Sequence, residues 1–283
     1  MLNVVSGCAG IGGIDLGFHW TGRYRAICYI EWEQFPQAIL LERMREGLLD
    51  SAPIWSDFST FDGKPWRGLV DVFISGIPCQ PHSTAGKRRK GDDNRNLWPS
   101  KRRIITEMEP RYVVVENVEG LYSGKRPYGP TIAKELYELG YAVLIQYRSA
   151  CQEGAPHERM RTFTVGIRVA DTNDGGSLHR ELKQHTNAAR DASQLRVKSC
   201  GAILSDSTCR GLEAIRERGF LQKAREAEST AFQDWWKNEP NVGRVADGVP
   251  HWVDRIKALG NAVVPQVAYQ VALDIIRIEE ACK

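Results

Sequence analysis

Two prolines bracket a cysteine in the run Ser75-Gly76-Ile77-Pro78-Cys79-Gln80-Pro81-His82-Ser83. Each proline fixes its own φ, so the thiol sits on a stiff loop. The cations of Lys87-Arg88-Arg89-Lys90 follow closely. Nearby positive charge lowers a thiol's pKa and favours the nucleophilic thiolate. A free cysteine is more often a small buried hydrophobe, and that reading suits the other six cysteines. Glu116 ends the run Val113-Val114-Val115. A carboxylate in such surroundings is costly to desolvate, so its pKa should rise towards neutrality, as suits a group that donates a proton and recovers it. A capping or salt-bridged glutamate is the plainer alternative. In His157-Glu158-Arg159-Met160-Arg161, a strand would turn both arginines to one face; two surface arginines are the alternative. Ala9-Gly10-Ile11-Gly12-Gly13 follows a short apolar run, and Glu31 closes the next one. Glycines let a backbone approach a ligand closely, and an acid at the end of the following strand can accept from ribose hydroxyls. Trp32 is placed to lie on an adenine ring. This combination favours an adenosine cofactor over a bare turn, without separating NAD from S-adenosylmethionine.

These groups need a frame that gathers them. Apolar runs at Leu2–Ser6, Ala26–Ile30, Leu69–Ser75, Tyr112–Glu116, Ala142–Tyr147 and Phe163–Ile167 read as strands. Ile14–Trp20, Gln34–Leu49, Ile104–Met108 and Thr131–Leu139 have helical spacing. The alternation predicts an α/β fold, a mostly parallel Rossmann-like sheet with helices on both faces. Ligands of such sheets bind at the carboxyl ends of the strands, where the motifs above fall. Late in the chain, Gly260-Asn261-Ala262-Val263-Val264-Pro265 reads as a turn and Val267–Ile278 as a helix.

Composition narrows the class. The 283 residues are 42% hydrophobic and 26% charged, with a net charge of +3, as in an ordinary globular protein. No stretch reaches the roughly 20 apolar residues of a spanning helix. The N-terminus starts a strand at once, without the regions of a signal peptide. Seven cysteines without a Cys-x-x-Cys pair argue against a disulfide framework or zinc ribbon, no metal is expected, and a reduced compartment is the default. Charge position says more than charge total. Between Gln80 and Pro110 eight Lys or Arg, including 101, 102 and 103, face four acids. Such a run is usually a solvated face; beside Cys79 it gains weight as a polyanion contact.

Leu, Ile, Val and Phe are plentiful over 1–169 and become sparse over 170–240. A segment so poor in these residues struggles to offset its ordering entropy. The division expected is therefore 1–169 for cofactor and catalysis, a small or partly disordered 170–240, and a 241–283 segment returning to the first part. Leu212–Ala227 has the look of a charged helix, and Trp235-Trp236 is the expected anchor of the thin segment.

Together these residues resemble the cytosine carbon-5 DNA methyltransferase family. The resemblance covers most of 1–169 and roughly 240–283. The family's glycine loop is similar to Ala9–Gly13, its ribose-binding acid to Glu31, its adenine contact to Asp57-Phe58, and its Pro-Cys nucleophile to Pro78-Cys79-Gln80-Pro81. Glu116-Asn117-Val118 matches the Glu-Asn-Val motif. The Gln-x-Arg-x-Arg motif appears with His157 for Gln. The Gly-Asn-Ala motif looks like Gly260-Asn261-Ala262. Cys8 replaces the usual aromatic before the glycine loop, so adenine stacking would lean on Trp32 and Phe58. The family's target-recognition region is short here.

The resemblance implies transfer of a methyl group from S-adenosylmethionine to carbon 5 of a flipped cytosine in double-stranded DNA. Cys79, Glu116, Arg159 and Arg161 would be catalytic. Ala9, Gly10, Gly12, Gly13, Glu31, Trp32, Asp57, Phe58, Pro78, Asn261 and Val263 would bind the cofactor, and Gln80, Ser83, Lys87, Arg88 and Arg89 the DNA. It further implies a monomer in the cytoplasm of a bacterium or phage-infected host, with no membrane association and a place in restriction-modification. An RNA cytosine-5 methyltransferase on the same framework is the nearest rival. A non-catalytic DNA-binding relative is a second, and an NAD-dependent oxidoreductase would leave Pro78-Cys79 unexplained.

Overall fold

The computed structural model describes residues 1–76, 97–123, 127–155, 157–168, 203–204 and 252–281. Among these residues eight strands form one sheet: β1 (Leu2–Gly7), β2 (Tyr24–Ile30), β3 (Ile54–Trp55), β4 (Val72–Gly76), β5 (Tyr112–Val118), β6 (Tyr141–Ser149), β7 (Met160–Arg168) and β8 (Ile203–Leu204). Their order is β3-β2-β1-β4-β5-β7-β6-β8. The first five in that order run parallel. β7 runs antiparallel to both β5 and β6, and β8 antiparallel to β6. The chain leaves β1 towards β2 on one side and later enters β4 on the other. The exits of β1 and β4 therefore flank the crevice where such sheets bind ligands.

Period-2 alternation sorts the core into two layers. Val4, Val72, Ile74, Val114, Phe163 and Val165 face one way, and pack with Ile14 and Phe18 of α1 (Gly13–His19) and with Val267, Val271 and Ile275 of a C-terminal helix. Val5, Phe73, Val113 and Val115 face the other way, with Trp98, Ile104 and Met108 of α3 (Trp98–Met108) and Ile132 and Leu136 of α4 (Gly129–Glu138). A smaller cluster seats α2 (Gln34–Arg45) through Leu40 against Tyr29. α2 stops at Arg45, short of the Leu49 expected from periodicity, where Gly47 takes a φ of 72° and ends the helix.

The end of the chain departs from expectation. Gly260 and Asn261 are not in a turn but close a helix, α5 (Trp252–Asn261). Residues 262–264 then lead into α6 (Pro265–Ala281). α6 lies so close to α1 that a Cβ on Gly17 would stand 2.3 Å from the Pro265 carbonyl oxygen. It is also locked to the sheet by charge. Asp274, 1% exposed, accepts from Arg148 of β6, from Gln146 at 3.2 Å and from Arg277 at 3.2 Å. Removing one member of a buried pair strands the other charge, at a cost of about 3–5 kcal/mol. Asp274→Ala is expected to lose that much in urea unfolding; a loss under about 1 kcal/mol would mean the pair behaves as a solvated one. The 170–240 segment, apart from β8, lies outside the described residues, and with it the expected charged helix and Trp235-Trp236.

Candidate active site

At the carboxyl edge of the sheet the glycine loop follows β1. Gly10 and Gly12 take φ of 56° and 77°, values that favour glycine. A Cβ on Gly10 would meet nothing within 4 Å, so its outer side is open to a ligand. Gly12 and Gly13 are in addition closely packed. A Cβ on Gly12 would stand 2.7 Å from Leu49 Cδ1, and one on Gly13 2.5 Å from the Val263 carbonyl oxygen. The link between α5 and α6 thus closes over the loop from the far end of the chain. Arg43 of α2 donates to the Ile11 carbonyl.

Glu31, at the exit of β2, is 8% exposed. Its Oε2 accepts from the Gly10 N–H at 2.7 Å and its Oε1 from the Glu33 N–H at 2.9 Å. Each oxygen keeps a lone pair for a hydroxyl, so the acid that would grip a ribose also shapes the glycine loop. Trp32, next to it, is 72% exposed, a free face for a ring. Asp57 follows β3; the Ser59 N–H and hydroxyl, each at 2.7 Å, hold its carboxyl below the usual range. Phe58 differs from the stacking role expected of it. Its ring is 6% exposed and fills the core beneath Gly7. An open-sided glycine turn, a carboxylate, an exposed indole and a second carboxylate on one edge fit an adenosine-containing cofactor.

Charge gathers two strands away. Gly76 ends β4 and pairs with Glu116 of β5. Glu116 is 7% exposed, and burial raises its carboxyl to about 7 against the opposing pull of Arg161, Arg159 and Lys101. Arg161 Nε stands 3.0 Å from Glu116 Oε1 in a salt bridge. The two meet because β7 is antiparallel to β5: Arg161 is the second residue of β7 and lies opposite Val118, the last of β5. Asn117 is buried, with its Oδ1 accepting from the Val118 N–H at 2.7 Å.

Arg159 does not share that bond. It precedes β7, and its Nη2 donates to the carbonyls of Leu259, Gly260 and Ala262 at 3.3, 2.5 and 2.7 Å. It therefore acts on Glu116 through its charge and ties down the end of α5. These partners are remote in sequence, so the local motif gave no sign of them. Asn261, the last residue of α5, is exposed, while Val263 is buried against the glycine loop.

Pro78, Cys79, Gln80, Ser83, Lys87, Arg88 and Arg89 lie outside the described residues. The basic run that continues from them is not a free positive face at its far end. Arg102 pairs with Glu135 at 3.1 Å, and Arg103 with Glu107 at 2.9 Å and with the Phe58 carbonyl. Lys101, counted with them in sequence, is fully buried. The signal was present: Trp98, Lys101, Ile104, Ile105 and Met108 are one apolar stripe at helical spacing, and a lysine in it needs a partner indoors.

Glu31→Ala is expected to weaken S-adenosylmethionine by one to two decades, the loss of a charge-assisted contact of about 1.5–3 kcal/mol. Calorimetry with unchanged affinity would leave Glu31 only the task of shaping the loop. No helix among the described residues is long and apolar enough to cross a membrane, and no three or more of their His, Cys, Asp and Glu residues gather into a group that could hold a metal ion.

Residues 2–239 match the model of the C-5 cytosine-specific DNA methylase family. Type II methyltransferase M.NgoMIV of Neisseria gonorrhoeae is 33% identical over 167 residues, 59% of this chain and 52% of that protein. M.NgoFVII, from the same species, is 29% identical over 270 residues, 88% of this chain and 70% of that one. The chain spans about half the length, or less, of the first curated relatives it matches. In fold it is similar to the S. pombe Dnmt2 methyltransferase, with a TM-score of 0.55, 17% identity and coverage of 96% of this chain and 98% of that one. With its sheet, its glycine loop and its buried Glu116–Arg161 pair set out as above, and the family's model covering most of its length, the chain belongs to the C-5 cytosine-specific DNA methylase family.

Proposed function

We propose that the chain is a DNA cytosine-5 methyltransferase that uses S-adenosylmethionine. The observation that carries this reading is the buried Glu116, raised to about 7 and bridged to Arg161 at the edge where β4 leads into Pro78-Cys79. Carbon 5 of cytosine is too poor a nucleophile to take a methyl group unaided. Attack of the Cys79 thiolate on carbon 6 forms a carbon–sulfur bond and breaks the ring's conjugation, building electron density at carbon 5. Glu116, holding its proton, donates it to ring nitrogen 3 and makes that attack favourable. Arg161 holds the Glu116 carboxyl in place and offers its remaining N–H groups to the ring carbonyl. The cofactor, when bound, supplies the methyl group from its sulfonium. Glu116 recovers the nitrogen-3 proton, the carbon-5 proton leaves to water or a base, and the Cys79–carbon bond breaks to restore the ring.

Ala9, Gly10, Gly12 and Gly13, with Glu31, Trp32, Asp57 and the Val263 backbone, would hold that cofactor. None of this chemistry is open to a stacked base, so the target is flipped out at a cost of a few kcal/mol. Gln80, Ser83, Lys87, Arg88 and Arg89 would receive the duplex, their cations displacing counterions from phosphates. Residues 170–240 would read sequence as a small region between the catalytic part and the returning 241–283 segment. The chain would act as a monomer in a bacterial or phage-infected cytoplasm, in the manner of a restriction-modification methyltransferase.

Bisulfite sequencing of host DNA after expression tests the reaction and reads the target sequence at once. Methylated cytosines in one sequence context are expected. Transfer to tRNA with none to duplex DNA would overturn the substrate in favour of RNA.

A further inference from the structure

An ammonium stripped of water is costly unless it is partnered. Lys101 of α3 is 0% exposed. Its Nζ donates to the carbonyl of Gly76, the last residue of β4, and stands 5.4 Å from the centre of the Phe58 ring, a cation–π distance. Its charged and titratable neighbours come from three further elements: Cys8 after β1, Glu31 at the exit of β2 and Glu116 on β5. Cys8 holds a φ of 50°. That left-handed backbone is uncommon outside glycine, and surrounding contacts must sustain it. A methionine would fill the same apolar stripe with no charge to desolvate. Packing therefore does not explain the lysine; its partners do.

We propose that Lys101 is a positioning residue of this site, tying the exit of β4, three residues before Cys79, to the glycine loop and holding a positive charge beside Glu116. The proposal rests on the reading of Glu116 as the proton donor. Three cations oppose the burial of the Glu116 carboxyl: Arg161 of β7, Arg159 ahead of β7, and Lys101 of α3. Lys101 is the member that also grips the backbone leading to the nucleophile. It couples the proton donor, the cofactor loop and the start of the Cys79 loop through one nitrogen. Burial keeps the Cys8 thiol raised, so the carboxyl groups that face Lys101 are those of Glu31 and Glu116. Without the ammonium, Glu116 holds its proton more tightly and the Gly76 carbonyl loses its donor.

The test compares Lys101→Met and Lys101→Gln with wild type in the full chain. The glutamine keeps an N–H donor without the charge. The Glu116 titration is followed by carbon-13 NMR of labelled glutamate, assigned against Glu116→Gln, and methyl transfer to duplex DNA is measured from pH 6 to 9. Both variants are expected to raise the Glu116 midpoint by at least half a pH unit. The alkaline limb of kcat should move up by the same amount. The methionine variant should also lose at least tenfold in kcat, with KM for DNA within twofold of wild type. Each reading is made on the variant that folds by thermal melt. A folded variant with the wild-type Glu116 midpoint and an unmoved alkaline limb overturns the proposal. A raised midpoint in a protein that transfers no methyl group in any form would instead sink the function while leaving the placement of Lys101 intact.

Discussion

Cys79→Ser is expected to abolish methyl transfer while leaving S-adenosylmethionine affinity within about twofold, a calorimetric change of under about 0.5 kcal/mol. An alcohol is a far weaker nucleophile than a thiolate near neutral pH, and the groups proposed to hold the cofactor lie mainly on the exits of β1, β2 and β3 rather than on the thiol. The same chemistry gives a positive signal in the wild type. On a duplex carrying 5-fluorocytosine, the carbon–sulfur bond should form and the methyl group be transferred. Fluorine cannot leave as a proton does, so the adduct persists. Intact-mass measurement should find protein joined to DNA in the wild type and none in Cys79→Ser. A wild-type protein that methylates cytosine but yields no adduct would remove Cys79 from the mechanism.

Glu116→Gln is expected to lower kcat by about 10²–10⁴, the range general acid catalysis supplies. The amide keeps the shape and an N–H donor but has no proton to give up and recover. The pH dependence follows from the sign of the shift. Burial raises the carboxyl to about 7, so it is protonated below that value and ionised above it. The donor form is lost as pH rises, and kcat governed by Glu116 should fall tenfold per unit well above pH 7. A thiolate nucleophile, the role proposed for Cys79, would act in the opposite direction, on the acid side. In Glu116→Gln the alkaline limb should vanish from whatever activity remains. A residual profile that still breaks near 7 would assign that limb to another group.

The individual candidate groups stand out in the sequence because each sits next to its own signal. Cys79 lies between prolines, Glu116 ends a valine run, and the glycine loop follows one apolar strand while Glu31 closes the next. The alternation of the strands was legible for the same reason: period-2 burial is a local property, and it sorted Val4 from Val5 and Val114 from Val115 onto opposite faces. What tertiary structure decided is which of these groups meet. Arg161 reaches Glu116 because β7 enters the sheet antiparallel beside β5, and strand direction is not written in the composition of either strand. Arg159, just before that strand, instead holds carbonyls of α5, and Val263 closes on Gly13 from the opposite end of the chain. Phe58 faces the core instead of a ligand because Gly7 leaves room for its ring. Lys101 read as one cation among eight until helix packing turned it inward. Local sequence determines what each residue can do and which element carries it; partners across the sheet are chosen by strand order and helix closure, which depend on the burial of the whole core at once.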